Sequence, residues 1–327
     1  MKAITIPSYG EPDVLTLTEV PDPVPGPDDL LIQVHATALN RADLLQRRGI
    51  YPQPGPTPEH EIPGLEFAGE VVRAGERARG FKAGDRVMGL LPGGGYAERV
   101  LTHHRLAVPV PDNLSWTDAA SVPEAFITAH DALSQCGLVC GESVLIHAAG
   151  SGVGVAAIQI ASVMGASPIL GTAGSDDKLE RARELGLDCP IHYKEKDFAQ
   201  ACLEDTGGRG ADAILDFIGA SYLERNLAAL AEKGRMVVIG LLGGVTTDIN
   251  LGLLLSKRLQ IRGTLLRARS LEEKALATRA FEKSVLPHLA GGRVHAVVDR
   301  VLPLAEAGAA HRVMEANENF GKIVLSV

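Results

Sequence analysis

Residues 144–165 read VLIHAAGSGVGVAAIQIASVMG and combine three features in a fixed order. A short apolar run leads into a turn with three glycines, and an Ala-, Ile- and Val-rich segment follows. The pattern predicts a buried strand, a tight turn and a helix whose first backbone N–H groups have no partner inside the helix. Such a helix N-terminus attracts an anion such as a pyrophosphate. The alternative, a turn with a purely structural role, is disfavoured because a second strand–helix unit follows.

The alternation of apolar runs with amphipathic helices continues to about residue 266. Strands are predicted at 143–149, 167–174, 189–193, 211–219, 235–242 and 259–266, with helices at 153–165, 176–186, 195–206 and near 221–231. Apolar strands that alternate with helices indicate a parallel sheet. We therefore predict an α/β fold in which residues 123–266 form a doubly wound domain with the spatial strand order 3-2-1-4-5-6.

Proline marks a different domain before this one, since fourteen of the nineteen prolines precede residue 112. Short β-type runs at 30–39, 67–75 and 96–102 alternate there with Gly/Pro turns, which predicts an irregular β-rich domain over residues 1–122. After residue 266 the sequence predicts a long helix at 271–290 and a final strand at 321–327, without the strand–helix rhythm. We expect residues 267–327 to return to the N-terminal domain.

Composition and charge exclude several classes of protein. The formal net charge is −8, from 40 acidic and 32 basic residues, so nucleic acid is not expected as the main partner. No apolar stretch approaches the roughly 20 residues of a membrane span. The four cysteines form neither a disulfide framework nor a CxxC pair, which favours free thiols and a cytoplasmic location.

The end of the second predicted strand bears on the choice of cofactor. NAD sites usually place an acid there for the ribose 2′-OH, whereas this chain has Ala173 and Gly174. Ser175 and Lys178 follow and supply a donor and a positive charge for a 2′-phosphate, so NADPH is favoured over NADH. Two alternatives stay open: Asp176 and Asp177 turn inward, or Lys178 is only a solvated helix residue.

Seven motifs, in order along the chain, resemble the quinone oxidoreductase branch of the medium-chain dehydrogenase/reductase superfamily. They are NRAD (40–43), PGLEFAGEV (63–71), GDRV (84–87), LPGGGYAE (91–98), PEAFITAHDAL (123–133), HAAGSGVG with AIQIA (147–161) and GKIVL (321–325). The resemblance is to the zeta-crystallin-like group, especially its tumour-suppressor-inducible branch. It implies a GroES-like catalytic domain, a Rossmann domain that binds NADPH, and an active-site cleft at their junction.

The resemblance also implies a reaction without zinc. The positions that hold catalytic zinc in related alcohol dehydrogenases correspond here to Asn40, Leu65 and Glu124, and none of the four cysteines falls at a ligand position. We therefore predict no metal site.

Cofactor-binding residues follow from the resemblance position by position. The three fingerprint positions become Ala149, Ser151 and Gly154, of which Ser151 directs a hydroxyl toward the cofactor or is a simple small turn residue. Lys178 and Tyr193 hold the 2′-phosphate, and Asn317 stands where one family member has an arginine. Asn40 and Thr128 resemble residues near the nicotinamide ribose and ring, and the segments 240–243 and 264–266 resemble those whose backbone contacts the nicotinamide amide. The full set of expected cofactor-binding residues is Asn40, Thr128, Ser151, Gly152, Val153, Gly154, Gly174, Ser175, Lys178, Tyr193, Gly240, Leu241, Leu242, Leu265, Leu266 and Asn317.

A zinc-free site with a reduced nicotinamide suits a quinone or an activated alkene, because these accept hydride without a Lewis acid. Tyr51 is the candidate hydrogen-bond donor to the reduced acceptor, and Asn40 and Asp43 are expected to order the floor of the site. Tyr51 as a tyrosine that only covers apolar surface, and Asp43 as the cap of a helix that starts after it, are the structural alternatives.

The leading function is zinc-independent NADPH:quinone oxidoreductase. An alkenal or enone double-bond reductase is the nearest alternative, and a crystallin or RNA-binding role belongs to a different class. The apolar segment 245–266 is expected to join Rossmann domains of two subunits in a homodimer or homotetramer.

Overall fold

The computed structural model describes residues 1–51, 55 and 58–327. Its strands are β1 (Lys2–Thr5), β2 (Thr16–Glu19), β3 (Asp29–Ala38), β4 (Glu66–Ala74), β5 (Arg86–Leu90), β6 (Arg99–His103), β7 (Ala107–Pro109), β8 (Val144–Ile146), β9 (Ile169–Ala173), β10 (Cys189–His192), β11 (Ala211–Asp216), β12 (Leu230–Val238), β13 (Gln260–Gly263), β14 (Val298–Pro303) and β15 (Lys322–Ser326). Its α-helices are α1 (Arg41–Arg47), α2 (Trp116–Ala120), α3 (Pro123–Gln135), α4 (Gly152–Val163), α5 (Asp176–Glu184), α6 (Phe198–Asp205), α7 (Leu223–Ala229), α8 (Leu251–Ser256), α9 (Leu271–Ser284), α10 (Leu286–Ala290) and α11 (Ala307–Glu315).

The described chain divides into two compact units, Met1–Ile127 with Leu266–Val327, and Thr128–Leu265. The boundaries predicted from sequence, after residues 122 and 266, lie a few residues from this division. None of the described helices is both long enough and apolar enough to cross a membrane.

The unit Thr128–Leu265 is built on a six-stranded parallel sheet in the order β10-β9-β8-β11-β12-β13. This is the predicted order 3-2-1-4-5-6, so the doubly wound α/β fold is confirmed. Its central strands β8, β9 and β11 are buried, and Leu145, Leu170, Ile191, Ile214 and Met236 form the core against α6 and α7. The apolar runs are continuous because helices cover both faces of such a sheet.

The other unit contains an antiparallel-rich sheet in the order β14-β15-β3-β4-β5-β7, with β6 also paired to β3. Strand β15, from the end of the chain, pairs antiparallel with β3 and parallel with β14. Alternate residues Leu30, Ile32 and Val34 of β3 point into the core with Phe67 and Val87. This architecture is the predicted GroES-like β-rich domain.

Several element boundaries differ from the predictions. The helix predicted over 271–290 is two helices, α9 and α10, because Pro287 lacks the N–H that a continuous helix needs. Near 221–231, a 3₁₀ turn at Ala220–Tyr222 precedes a shorter helix α7, and β12 already begins at Leu230.

Candidate functional site

The glycine-rich turn of the sequence lies between β8 and α4, at the carboxyl end of a central strand. Ser151 is the N-cap residue of α4, and its Oγ accepts a hydrogen bond from the Gly154 N–H at 3.0 Å. The N–H groups of Gly152 and Val153, beside it, donate to no acceptor in the part of the chain that the structure describes. Two free amides at the positive end of a helix form a site for an anion.

Glycine is required at only one of the three fingerprint positions. A Cβ on Gly154 would lie 2.3 Å from the Ala148 carbonyl oxygen and 2.9 Å from that of Ala149, so helix α4 approaches the turn too closely for any side chain. Ala149 and Ser151 replace glycine without such a clash because the close approach falls on Gly154 alone. The departure from the strict motif is therefore compatible with the geometry that the motif serves.

The end of β9 carries the residues expected to hold the 2′-phosphate. A Cβ on Gly174 would lie 2.8 Å from the Tyr193 hydroxyl, so the absent side chain lets that ring lie against the strand end. Ser175 precedes α5 as its N-cap residue, and Lys178 is in the first turn of the helix. Asp176 and Asp177 are exposed, and Asp177 pairs with Arg181 at 3.9 Å, so neither acid is buried at the strand tip.

His147, which the sequence did not single out, fixes the strand that leads into the turn. The fully buried ring bridges the hydroxyl of Thr172 on β9, at 3.0 Å, and Oδ1 of Asn226 on α7, at 2.7 Å. Burial lowers the pKa of His147 to about 4, so the imidazole is neutral at neutral pH. This histidine is structural, and its polar partners, rather than a ligand, satisfy it.

The segments expected near the nicotinamide are partly exposed. A Cβ on Gly240 would lie 2.9 Å from the Phe217 carbonyl oxygen, so the loop after β12 packs against the end of β11. Leu241, Leu242 and Leu265 are about half exposed, and Thr128 is partly buried. Leu266, by contrast, is buried and belongs to the other unit.

A groove of about 540 Å³ in the same unit lies at the opposite edge of the sheet. Its lining includes Glu142 before β8, Asp212 and Gln260 at the amino ends of β11 and β13, and Arg235, which pairs with Ala213 and Gln260 at that end of the sheet. Ligands of open α/β sheets bind at the carboxyl ends of the strands. We therefore assign the cofactor to the turn at Gly152 and not to this groove.

The unit Met1–Ile127 with Leu266–Val327 contains a buried ion pair between Lys322 and Glu66, beside Asn40. The Lys322 ammonium donates to Glu66 Oε1 and to Asn40 Oδ1, both at 2.7 Å, and to the Leu39 carbonyl oxygen at 2.6 Å. Glu66 is fully buried, and Asn40 Nδ2 donates to its Oε1 at 2.8 Å. The amide orientation of Asn40 is thereby fixed, and its side chain serves this network.

These residues do not fit a catalytic zinc ion. Leu65 offers no ligand atom, Asn40 Oδ1 and Glu66 Oε1 already accept from the Lys322 ammonium, Glu66 Oε2 accepts from the Glu124 N–H, and none of the four cysteines belongs to this unit. Among the described residues, the one group of His, Cys, Asp and Glu side chains close enough to share a metal is Asp28, His103 and His104, where Asp28 is paired with Arg77.

Asp43 is buried and structural in its contacts. Its Oδ2 accepts from the Asn40 N–H at 2.8 Å and from the Tyr96 hydroxyl at 3.2 Å, and its Oδ1 accepts from the Gly64 N–H at 3.2 Å. Burial raises the pKa of Asp43 to about 6, although the hydrogen bond from Asn40 opposes the shift. The expected helix does not start after Asp43, because α1 begins at Arg41 and Asn40 is the N-cap residue; Asp43 caps α1 from its third position, where its carboxylate accepts from the Asn40 N–H.

A polar chain continues from Tyr96 into the domain. The hydroxyl that donates to Asp43 also lies 3.2 Å from Nε2 of His311, whose Nδ1 lies 3.4 Å from a guanidinium nitrogen of Arg47. Burial and the Arg47 charge lower the pKa of His311 to about 3, so this ring is neutral. Arg47 pairs with Glu315, which completes the chain.

Tyr51 is half-buried and is held by Arg267, a residue that no sequence motif indicated. The Arg267 guanidinium lies 5.2 Å from the centre of the Tyr51 ring and donates to the Tyr51 carbonyl oxygen at 3.2 Å. It also donates to Gln46 Oε1 at 2.7 Å and to the Pro92 carbonyl oxygen at 2.9 Å. Burial raises the pKa of Tyr51, which therefore keeps its hydroxyl proton at neutral pH.

Asn317 has a conformational role beyond its proposed place near the phosphate. It adopts a positive φ of 55° just after α11, a position that favours Asn or Gly. Its Oδ1 accepts from Arg41 at 2.6 Å. The structure thus places the Arg41 guanidinium beside Asn317.

Two family descriptions match this chain: residues 26–112 match "Alcohol dehydrogenase GroES-like domain" and residues 152–282 match "Zinc-binding dehydrogenase". A quinone oxidoreductase of Pseudomonas aeruginosa is 33% identical over 334 residues, covering 99% of both chains. The human quinone oxidoreductase is 31% identical and covers 99% of this chain and 97% of its own. The chain belongs to the quinone oxidoreductase family of medium-chain dehydrogenases/reductases.

Other relatives of this chain differ in the length of the whole protein and in the cofactor that their descriptions name. A polyketide synthase subunit of Mycobacterium tuberculosis is 33% identical over 97% of this chain, but the chain spans only 14% of that protein. Two solved structures with TM-scores of 0.89 cover both chains fully: an NAD-dependent alcohol dehydrogenase at 33% identity and a mycobacterial protein complexed with NADPH at 29%. A nicotinamide cofactor is therefore expected, whereas the choice between its two forms depends on the residues at the end of β9.

Proposed function

We propose that this protein reduces small apolar quinones with NADPH and without a metal. The observation that supports this proposal is the Lys322–Glu66–Asn40 network, because it uses the side chain of Asn40, one of the three positions that the sequence resemblance matches to zinc ligands. Zinc polarises a carbonyl for hydride transfer, and a quinone needs no such polarisation because it is already electron-poor. Among the branches of the family, we propose the tumour-suppressor-inducible one, which the seven sequence motifs together resemble.

The residues of the turn fit NADPH. The free amides of Gly152 and Val153 would bind the pyrophosphate, and the missing side chain of Gly154 leaves the turn close to α4. Ser175, Lys178 and Tyr193 would bind the 2′-phosphate, and the exposed Asp176 and Asp177 do not occupy the strand tip. When bound, NADPH supplies the hydride.

Tyr51 is the proposed hydrogen-bond donor to the acceptor oxygen. Arg267 holds its backbone and ring from one side, so the hydroxyl is restricted before any substrate binds. A restricted donor loses little entropy when it meets developing negative charge. Asn40 and Asp43 would order the floor of this site. Asn40 is held in place by the Lys322 network, and Asp43 connects α1 to Gly64 and Tyr96.

Steady-state turnover distinguishes the candidate functions. The kcat/KM values for a benzoquinone and a naphthoquinone are compared with that for an α,β-unsaturated aldehyde, each with NADPH and with NADH. The proposal predicts the highest value for a quinone with NADPH. A higher value for the aldehyde identifies the enone reductase instead, and failure to bind NADPH in a fluorescence titration favours a non-enzymatic role.

We also propose that the protein is a cytoplasmic homodimer or homotetramer joined through its Rossmann domains. In the described chain, β13 is an edge strand that pairs only with β12, and all four of its residues are exposed. Leu251 and Leu255, on the preceding helix, are 64% and 80% exposed. A second copy of this chain would cover these side chains and supply partners for the free strand edge.

A further inference from the structure

Glu124 lies close to Lys322, Glu66 and Asp43, a group that we call the Lys322 cluster, and its carboxyl is the one acid group there that accepts no hydrogen bond from a described residue. It is the second residue of α3, and its backbone N–H donates to Glu66 Oε2 at 2.8 Å. Its carboxyl makes no hydrogen bond to any residue that the structure describes, and the residue is partly exposed. Glu66 and Asp43, by contrast, are fully buried, and both oxygens of each carboxylate accept hydrogen bonds.

Charged and titratable groups face Glu124 from each element of the cluster. They are Glu66 on β4, Asp43 on α1, Lys322 on β15, Arg267 before α9, Lys274 on α9 and Tyr51 after α1. Burial and the neighbouring Glu66 raise the pKa of Glu124 to about 8, with Asp43 acting in the same direction and Lys322 and Arg267 against it. Glu124 is consequently protonated at neutral pH.

We propose that Glu124 is the general acid that protonates the reduced acceptor. This inference rests on the proposed function and assigns a step of the same reaction to a residue that the sequence indicated only as a former metal-ligand position. In this cluster, the Glu124 carboxyl is the group that carries a proton at neutral pH, is partly exposed and makes no hydrogen bond to a described residue, so a ligand could contact it. Tyr51, with its raised pKa, holds the oxygen by a hydrogen bond and keeps its own proton.

Hydride addition gives the acceptor two electrons and one hydrogen nucleus, so a quinone becomes a hydroquinone monoanion and an enone becomes an enolate. The O–H bond of Glu124 then breaks as a new O–H or C–H bond forms on the product, leaving a carboxylate that takes a proton from water. A phenol has a pKa of about 10, so proton transfer to a hydroquinone anion from the Glu124 carboxyl, whose pKa is about 8, is favourable.

The test compares wild type with Glu124→Gln, Glu124→Asp and the exposed control Glu19→Gln. At pH 7 we expect kcat/KM to fall about 10²-fold in Glu124→Gln, with partial recovery in Glu124→Asp and no change in Glu19→Gln. The wild-type kcat/KM should decline above pH 8, and Glu124→Gln should lack this decline. NADPH affinity, measured by fluorescence titration, should be the same in all four proteins.

Melting temperature supplies a readout that does not depend on turnover. A carboxyl with a raised folded-state pKa binds more protons in the folded state than in the unfolded state, so the protein becomes less stable as pH rises. The wild-type melting temperature relative to that of Glu124→Gln should therefore fall between about pH 4.5 and about pH 8 and then stay level.

The outcomes separate the two proposals. Unchanged kcat/KM and an unchanged alkaline decline in Glu124→Gln, with an active wild type, would overturn the general-acid role and leave the proposed function standing. A melting difference that does not vary with pH would also overturn it. A wild type that binds NADPH but reduces no acceptor would overturn the proposed function, and this role with it.

Discussion

The Lys322 ammonium lies 2.7 Å from Glu66 Oε1, and these two residues are separated by 256 positions in the sequence. Strand β15 brings the lysine beside β3, which in turn pairs with β4, the strand that begins at Glu66. Side-chain exposures of 5% and 0% show that neither charge reaches solvent. A positive charge fixed in this way stabilises the buried Glu66 carboxylate and orients Asn40.

Loss of the lysine should destabilise the protein strongly. Lys322→Met leaves Glu66 buried without its partner, and breaking a buried pair costs about 3–5 kcal/mol. Denaturant unfolding followed by circular dichroism measures the change, with the exposed Lys283→Met as a control that should stay within about 0.5 kcal/mol of wild type. The double variant Lys322→Met with Glu66→Gln should lose less free energy of unfolding than Lys322→Met alone. An undamaged single variant would show that the pair does not hold the domain together.

Lys178 should determine the preference for the phosphorylated cofactor. Removing one positive charge from a phosphate site should raise the Kd for NADPH about tenfold, which is about 1.4 kcal/mol, and leave the Kd for NADH unchanged. Fluorescence titration of Lys178→Ala against the exposed control Lys196→Ala measures both. An equal rise in the Kd values for NADPH and NADH would place Lys178 outside the phosphate site.

Tyr51→Phe should lower quinone turnover without unfolding the protein. The loss of one neutral hydrogen bond corresponds to about 0.5–1.5 kcal/mol, so kcat/KM should fall by up to about tenfold. Arg267→Lys removes the fixed fork of donors that binds Gln46 and Tyr51. The fold-decrease in kcat/KM caused by Arg267→Lys should be larger when Tyr51 is present than when it is replaced by Phe. An unchanged kcat/KM in Tyr51→Phe would remove this residue from the mechanism.

Leu255→Glu should dissociate the proposed dimer. A carboxylate at a residue that is 80% exposed in the monomer costs nothing there, but it would be desolvated in an apolar interface. Light scattering should give at least twice 34.5 kDa for wild type and 34.5 kDa for the variant. A wild-type mass of 34.5 kDa would rule out the interface.

The Rossmann sheet was predictable because its signals are local. Each strand is a short apolar run, each helix follows it within a few residues, and the glycine-rich turn identifies the first unit, from which the strand order follows. Element ends were less certain. Asn and Asp are both good N-cap residues, so NRAD allowed two helix starts, and the structure selects Asn40 rather than Asp43.

The acid–base cluster was not predictable in this detail because its members are far apart in the chain. Glu66 and Lys322 each lie within a motif quoted from the sequence, yet nothing local shows that they pair. Arg267 is likewise remote from Gln46 and Tyr51, and only the fold brings them together. Burial, which raises the pKa of Glu124, is also a property of the assembled domain.

Quinone turnover before and after metal removal tests the central claim most directly. The kcat/KM for a naphthoquinone is measured with NADPH and with NADH, on protein as purified and on protein dialysed against a chelator. The proposed function predicts efficient NADPH-dependent reduction that chelation leaves unchanged and added zinc does not increase. Activity that is lost on chelation and restored by zinc, or no quinone reduction with either cofactor, would contradict it.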